Sequence, residues 1–240
     1  MHKSTLDPDE VKKFTDISNA WWDQEGPFKQ LHLMNRVRIP YIKNILFQQS
    51  ISDGQFLNGL RIIDVGCGGG ILSIPLSKLG ASVTGLDASI ENIAIANHYA
   101  KNNGHNIDYV HSTIEEFVVK KSYDVVCALE IVEHVADVNL FLESVVSTIR
   151  PGGIIFVSTI NQTLKSYAQA ILIAEYALRI VPVGTHKWSK FIKPSTIAEI
   201  FADNNMQLID MKGMKLNIFM NEWYLDDNVD VNYIMAFKKI

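Results

Sequence analysis

Arg61-Ile62-Ile63-Asp64-Val65-Gly66-Cys67-Gly68-Gly69-Gly70 decides the architecture: an apolar run carries an acid and spills into glycines. Ile62, Ile63 and Val65 are β-branched and suit a buried strand. The glycines let the backbone turn sharply and come close to a ligand. Similar short apolar runs recur at 82–86, 108–110, 123–128 and 154–158, with helical spacing between them. Strands alternating with helices read as a doubly wound α/β sheet with helices on both faces. Runs at 207–211 and 231–237 add two strands at one edge, the last antiparallel. The expectation is a mostly parallel, seven-stranded sheet with one antiparallel edge strand. Pro75, a few residues into the first core helix, either removes a hydrogen bond or marks a late helix start.

Ahead of the sheet the texture is helical. In Asp7-Pro8-Asp9-Glu10, Asp7 can cap, Pro8 suits the first helical position and Glu10 completes a capping box. Val11, Phe14, Ile17 and Trp21 then follow at helical spacing. Gly26-Pro27 breaks the chain before a second helix over about 35–49. We therefore expect one domain: a helical cap (1–50), a ligand-binding core (60–160), a helical insertion (161–195) and the rest of the core (196–240).

Composition removes other classes. The 240 residues are 48% apolar and 20% charged, as in ordinary packed proteins, and 22 basic against 26 acidic residues leave a net charge of −4. No basic field speaks for nucleic acid. Cys67 and Cys127 make neither a disulfide framework nor a metal cluster. No run of about 20 apolar residues is long enough to span a bilayer. The polar stretch 1–10 has no signal-peptide core, so a cytoplasmic location is expected.

Two ligands compete for the glycine loop. In a dinucleotide fingerprint counted from Gly66 the last glycine would fall at Ile71, so that spacing fails. Asp64 beside the loop suits a cation better than a pyrophosphate. S-adenosylmethionine (SAM) carries a sulfonium and an ammonium and no phosphate. Asp87, 17 residues beyond Gly70, ends the second strand where a carboxylate can take ribose hydroxyls. A nicotinamide oxidoreductase and a silent SAM-binding scaffold are the competing readings.

Asp64-x-Gly66-x-Gly68-x-Gly70, Asp87, Tyr123-Asp124-Val125-Val126 and Arg150-Pro151-Gly152-Gly153, in that order, resemble the signatures of class I SAM-dependent methyltransferases with their Rossmann-like fold. Further segments resemble the ubiquinone-biosynthesis O-methyltransferases. They are Trp21-Trp22-Asp23 with Arg38 downstream, Glu130-Ile131-Val132-Glu133-His134-Val135, Gly184-Thr185-His186 with Phe191-Ile192-Lys193-Pro194, and Val229-Asp230-Val231-Asn232-Tyr233. Lys187 departs from the aspartate common after Gly-Thr-His in that family. The resemblance implies O-methylation of a polyprenylated catechol or hydroquinone, with Arg38, Gly66, Asp87 and Leu129 at the cofactor. Another small-molecule O-methyltransferase, acting on a non-prenylated phenol, is the alternative.

Methyl transfer needs an ionised oxygen, and a phenol of pKa about 10 is mostly protonated at neutral pH. Glu130, Glu133 and His134 stand at i, i+3 and i+4, so one helical turn would place them on a shared face. Two bare carboxylates would oppose phenolate formation, whereas a bound cation reverses that sign. The resemblance places a metal at these three positions, and oxygen ligands suit magnesium first. In the metal-free reading His134 is the general base with Glu133 orienting it; the bland reading is a solvated acidic helix start. His186 is a further loop candidate. The segment 166–182 is apolar but carries Glu175 and Arg179. It is expected to cover the pocket or to rest on a membrane's inner face, helped by Lys187, Lys190 and Lys193, where other quinone-pathway enzymes are possible associates.

Overall fold

The structure, a computed structural model, describes residues 4–54, 56–117, 122–169 and 187–240. Strands β1 (Arg61–Val65), β2 (Ser82–Asp87), β3 (Asp108–His111), β4 (Tyr123–Leu129) and β5 (Ile149–Ile160) are parallel. With β6 (Met206–Asn217), β7 (Glu222–Asp226) and β8 (Asn232–Lys239) they form one eight-stranded sheet in the order β3-β2-β1-β4-β5-β8-β6-β7. The doubly wound, mostly parallel sheet with antiparallel pairing toward one edge is as expected; the count of seven is not. β8 lies antiparallel between β5 and β6, and β7 returns antiparallel on β6 as the outermost strand. β7 escaped the reading because Glu222-Trp223-Tyr224-Leu225-Asp226 is short and closed by acids. Trp223 and Leu225 nevertheless pack on the core, and Trp223 Nε1 donates to Gln30 Oε1 at 2.9 Å.

Strand side chains alternate between two cores, as the two-residue period requires. Ile62, Val125, Cys127, Ile154, Phe156, Ile234 and Ala236 face one side. There they meet α2 (Lys29–Gln48), α3 (Ser73–Lys78) and α4 (Ile90–Asn102) through residues such as Ile42, Leu76 and Ala96. Ile63, Val126, Ala128, Ile155, Val157, Tyr233 and Phe237 face the other side, against α5 (Val138–Thr148) and, beyond the short turn α6 (Leu164–Ser166), α7 (Pro194–Asp203). Burial on both faces explains why the parallel strands read as continuous apolar runs.

Within the N-terminal cap the helices depart from their expected extents. α1 (Pro8–Asp16) starts on Asp7, whose Oδ1 accepts from Asp9 N and Glu10 N. It stops at Asp16, and a 3₁₀ turn (Ser18–Ala20) carries the chain to Trp21, so the apolar spacing through Trp21 is not one helix. α2 begins at Lys29, earlier than expected, because Phe28 is buried immediately after the Gly26-Pro27 break and anchors the helix start. α3 begins at Ser73, which puts Pro75 in the first turn, where no intrahelical N–H is needed. That is the late start.

Candidate active site

Chain order makes the site. β1 lies between β2 and β4, so the connections leaving β1 and β4 diverge and open a crevice at their carboxyl ends. A cavity there is lined by Gly66, Gly68, Asp64, Asp87, Leu129, Glu130 and His134, and by Arg38 and Asn35 of α2 and Glu10 and Phe14 of α1. Of the expected site residues that are described, all but Glu133, which is buried and not part of this lining, thus reach one place.

Gly66 and Gly68 have φ of 73° and 53°, the left-handed region that glycine enters freely. A Cβ on Gly66 would stand 2.7 Å from Ile131 Cγ1, and one on Gly68 2.4 Å from the Trp21 ring. Trp21 therefore backs the loop. Its Nε1 donates to Asn92 Oδ1 at 2.9 Å, its ring stacks on Phe28 at 3.7 Å, and Trp22 Nε1 donates to Gly69 O at 2.9 Å. The two tryptophans of the Trp-Trp-Asp signature thus buttress the glycine loop, a role hidden in the sequence.

Asp87 closes the loop from the other side. Its Oδ2 accepts from Gly68 N at 2.8 Å, and its Oδ1 from Ser89 N at 2.8 Å and Asn92 Nδ2 at 3.1 Å. Burial raises its pKa despite these donors. Asp64 accepts from Ser73 Oγ at 2.6 Å, and burial, with the Asp87 charge adding to it, pushes its carboxyl up to about 7.

On α2, Arg38 is 3% exposed and pairs through Nη2 with Glu130 Oε1 at 2.7 Å. Its Nε and Asn35 Oδ1 are buried without a partner among the described residues. Orphaned polar atoms beside Asp64 fit the amino-acid end of SAM: Arg38 can bind the carboxylate, and Asn35 Oδ1 and Asp64 the ammonium. Leu129 is half-buried, packing on the core while it borders the cavity.

Glu130, Glu133 and His134 do not share a helical face. Glu130 takes φ 54°, a left-handed conformation unusual for a side-chain-bearing residue, and Val132–His134 is a 3₁₀ turn. Each side chain serves a different protein partner. Glu130 pairs with Arg38 and accepts from Ser158 Oγ at 2.6 Å. Glu133, 5% exposed, accepts from Thr159 Oγ1 at 2.7 Å, and burial beside Glu130 raises its carboxyl to about 7. His134 Nδ1 lies 3.0 Å from Glu10 Oε2. Among the described residues no group of three or more His, Cys, Asp or Glu is arranged to hold a metal ion, so this donor set does not fit one as it stands. The carboxylate paired with His134 is that of Glu10, not Glu133. Nor does Glu10 close a capping box, since its carboxylate turns to His134, Lys13 and Lys190. No sequence pattern links positions 124 residues apart. Lys190 likewise leaves the expected basic patch for Asp7 and Glu10, while Lys187 and Lys193 stay exposed. His186 and most of 166–182 lie outside the described residues.

The methyltransferase domain family matches residues 36–210. The ubiquinone biosynthesis O-methyltransferase of Pelagibacter ubique (strain HTCC1062) is 44% identical over 238 residues, covering 98% of this chain and 99% of its own. That of Bradyrhizobium sp. (strain ORS 278) is 40% identical over 240 residues, covering 99% and 95%. This chain belongs to the ubiquinone biosynthesis O-methyltransferase family. The fold agrees with distant methyltransferases of the SAM-dependent class. Magnesium protoporphyrin IX methyltransferase from Synechocystis PCC 6803 with bound SAH has a TM-score of 0.63 at 20% identity, covering 97% of this chain and 94% of its own. Membership of the family makes SAM the methyl donor.

Proposed function

We propose that this enzyme moves the methyl group of SAM to a ring hydroxyl of a polyprenylated catechol, and of demethylubiquinol, in ubiquinone biosynthesis. One observation carries the reading: in a chain whose relatives bear that name, the SAM cradle and an imidazole whose Nε2 has no partner among the described residues border the same cavity. The glycine loop and Asp87 hold the nucleoside, and Arg38 holds the carboxylate, so the sulfonium methyl is aimed across the crevice. His134 accepts the phenolic proton as the oxygen attacks. The O–C bond forms as the C–S bond breaks, the sulfonium leaves as the neutral thioether S-adenosylhomocysteine, and the proton passes from His134 to solvent.

No step in this proposal runs through a divalent cation, because Glu130, Glu133 and His134 are engaged by Arg38, Thr159 and Glu10. Turnover lost in excess chelator and restored by magnesium would show that the trio regroups around one. The prenyl tail motivates peripheral contact with the inner face of a membrane. Leu164 (83% exposed), Tyr167 and Trp188 present apolar surface beside the segment expected to make it. No described helix is long and apolar enough to cross a membrane.

The deciding experiment is mass spectrometry of a short-chain prenyl catechol after incubation with SAM and the enzyme. A product one methyl group heavier supports the proposal. Methylation of simple catechols with none of the prenylated one would favour a different phenol as substrate.

A further inference from the structure

We propose that Glu10, on the N-terminal helix, is the positioning residue of His134. This rests on the reading that His134 takes the substrate proton. Glu10 and Phe14 are one turn apart on α1, so they share a face and clasp the imidazole between them. Glu10 Oε2 lies 3.0 Å from Nδ1, and the Phe14 ring meets the imidazole edge-on, 4.9 Å between centroids at 85°. Glu10 is only 3% exposed, yet Lys13 at 3.0 Å and Lys190 at 3.3 Å both sit on its Oε1. These two ammonium groups pair with Oε1 and leave Oε2 to the imidazole.

An ionised carboxylate only accepts hydrogen bonds. Nδ1 must therefore carry the hydrogen of the neutral ring, which places the lone pair on Nε2. No described residue is hydrogen-bonded to Nε2, and His134 borders the cavity beside Gly66 and Asp87. This is the logic by which a carboxylate selects one tautomer of a functional histidine. Glu133, next in sequence, is turned to Thr159 and cannot serve.

α1 is held firmly enough for the task. Ala136 N donates to Thr5 O at 2.8 Å, and Thr5 N and Oγ1 donate to Glu115 at 2.6 and 2.7 Å. Lys190 pairs with Asp7 at 2.7 Å. At its far end Thr15 Oγ1 meets Ser89 Oγ at 2.8 Å, and Ser89 caps α4 two residues beyond Asp87. One helix thus ties the proton acceptor to the cofactor end of the crevice.

The test uses the full chain, labelled with ¹⁵N, and long-range ¹H–¹⁵N correlation of the His134 ring at a pH where it is neutral. The wild type should show Nδ1 protonated. Glu10→Ala should shift the ring toward Nε2–H and lower kcat about 10- to 100-fold, with KM for SAM changed less than about twofold. Glu10→Gln keeps a single acceptor oxygen, which Lys13 and Lys190 claim, so its NH2 faces Nδ1 and should favour Nε2–H as Glu10→Ala does. An unchanged ring spectrum in Glu10→Ala, or a loss of thermal stability alone, would overturn the inference. The expected ring shift in an enzyme that methylates no prenylated catechol would instead leave Glu10 in its role and defeat the proposed function.

Discussion

Asp64 and Arg38 carry the most consequential single-residue charges at the cofactor end. Asp64 ionises near pH 7 in the fold against 3.8 for a free carboxyl, because burial disfavours its charge. The folded state therefore holds a proton that the unfolded chain releases, so stability falls as pH rises from about 4 to about 7. The free enzyme should lose up to about 4 kcal/mol from this group over that window. Asp64→Asn, which keeps an acceptor for Ser73 Oγ, should flatten the dependence in urea unfolding series. SAM should bind better above pH 7, where Asp64 is charged, and S-adenosylhomocysteine, which keeps the ammonium that Asp64 faces, should show the same trend. Arg38→Ala strips Glu130 of its buried counter-ion and should cost about 3–5 kcal/mol. The double variant Arg38→Met/Glu130→Gln removes both charges and should recover most of that loss; equal destabilisation of the two variants would show that the pair matters for packing alone. Asp64 and Arg38 could be singled out in the sequence and both line the cavity, but the orphaned Arg38 Nε could not be foreseen, since only packing reveals which polar atoms go unpaired.

Elements around the glycine loop act as a unit. The loop keeps its shape because Trp21 fills the space that side chains on Gly68 and Gly69 would need. Trp21→Ala should cost about 3–5 kcal/mol, as for other buried tryptophans. It should also weaken S-adenosylhomocysteine binding in calorimetry, although Trp21 lies more than 40 residues upstream of the loop. Gly68→Ala should abolish binding more sharply, since the alanine would meet both a strained φ and the indole. Undiminished binding in either variant would detach the cap from the cofactor site. The strands were readable because burial on two faces leaves nearly unbroken apolar runs, and the helix α1 because its cap is local. The 3₁₀ turn at Val132–His134 was not: i, i+3 and i+4 fit an α-helix by count, and only the left-handed Glu130 breaks it.

At the scale of the whole molecule, apolar surface gathers beside the insertion, at Leu164, Tyr167 and Trp188. Co-sedimentation with anionic liposomes should be lost when these three become serine. A separate apolar turn, Ile218-Phe219-Met220, tips the β6–β7 hairpin, with Phe219 fully exposed. If Phe219→Ser alone abolished sedimentation while the triple variant still bound, the membrane contact would belong to the hairpin instead.

Local chemistry in the chain was enough to determine the doubly wound sheet, the glycine loop, the acid that ends the second strand and the family signatures, because each is written in neighbouring residues or in a repeating period. The eighth strand, the buttress under the loop and the partners of Glu130, Glu133 and His134 were decided only by tertiary structure. Those depend on which distant groups meet when two cores close around one sheet. Glu10 shows the difference: beside Asp7 it is an ordinary helix-start acid, and only folding brings it to His134.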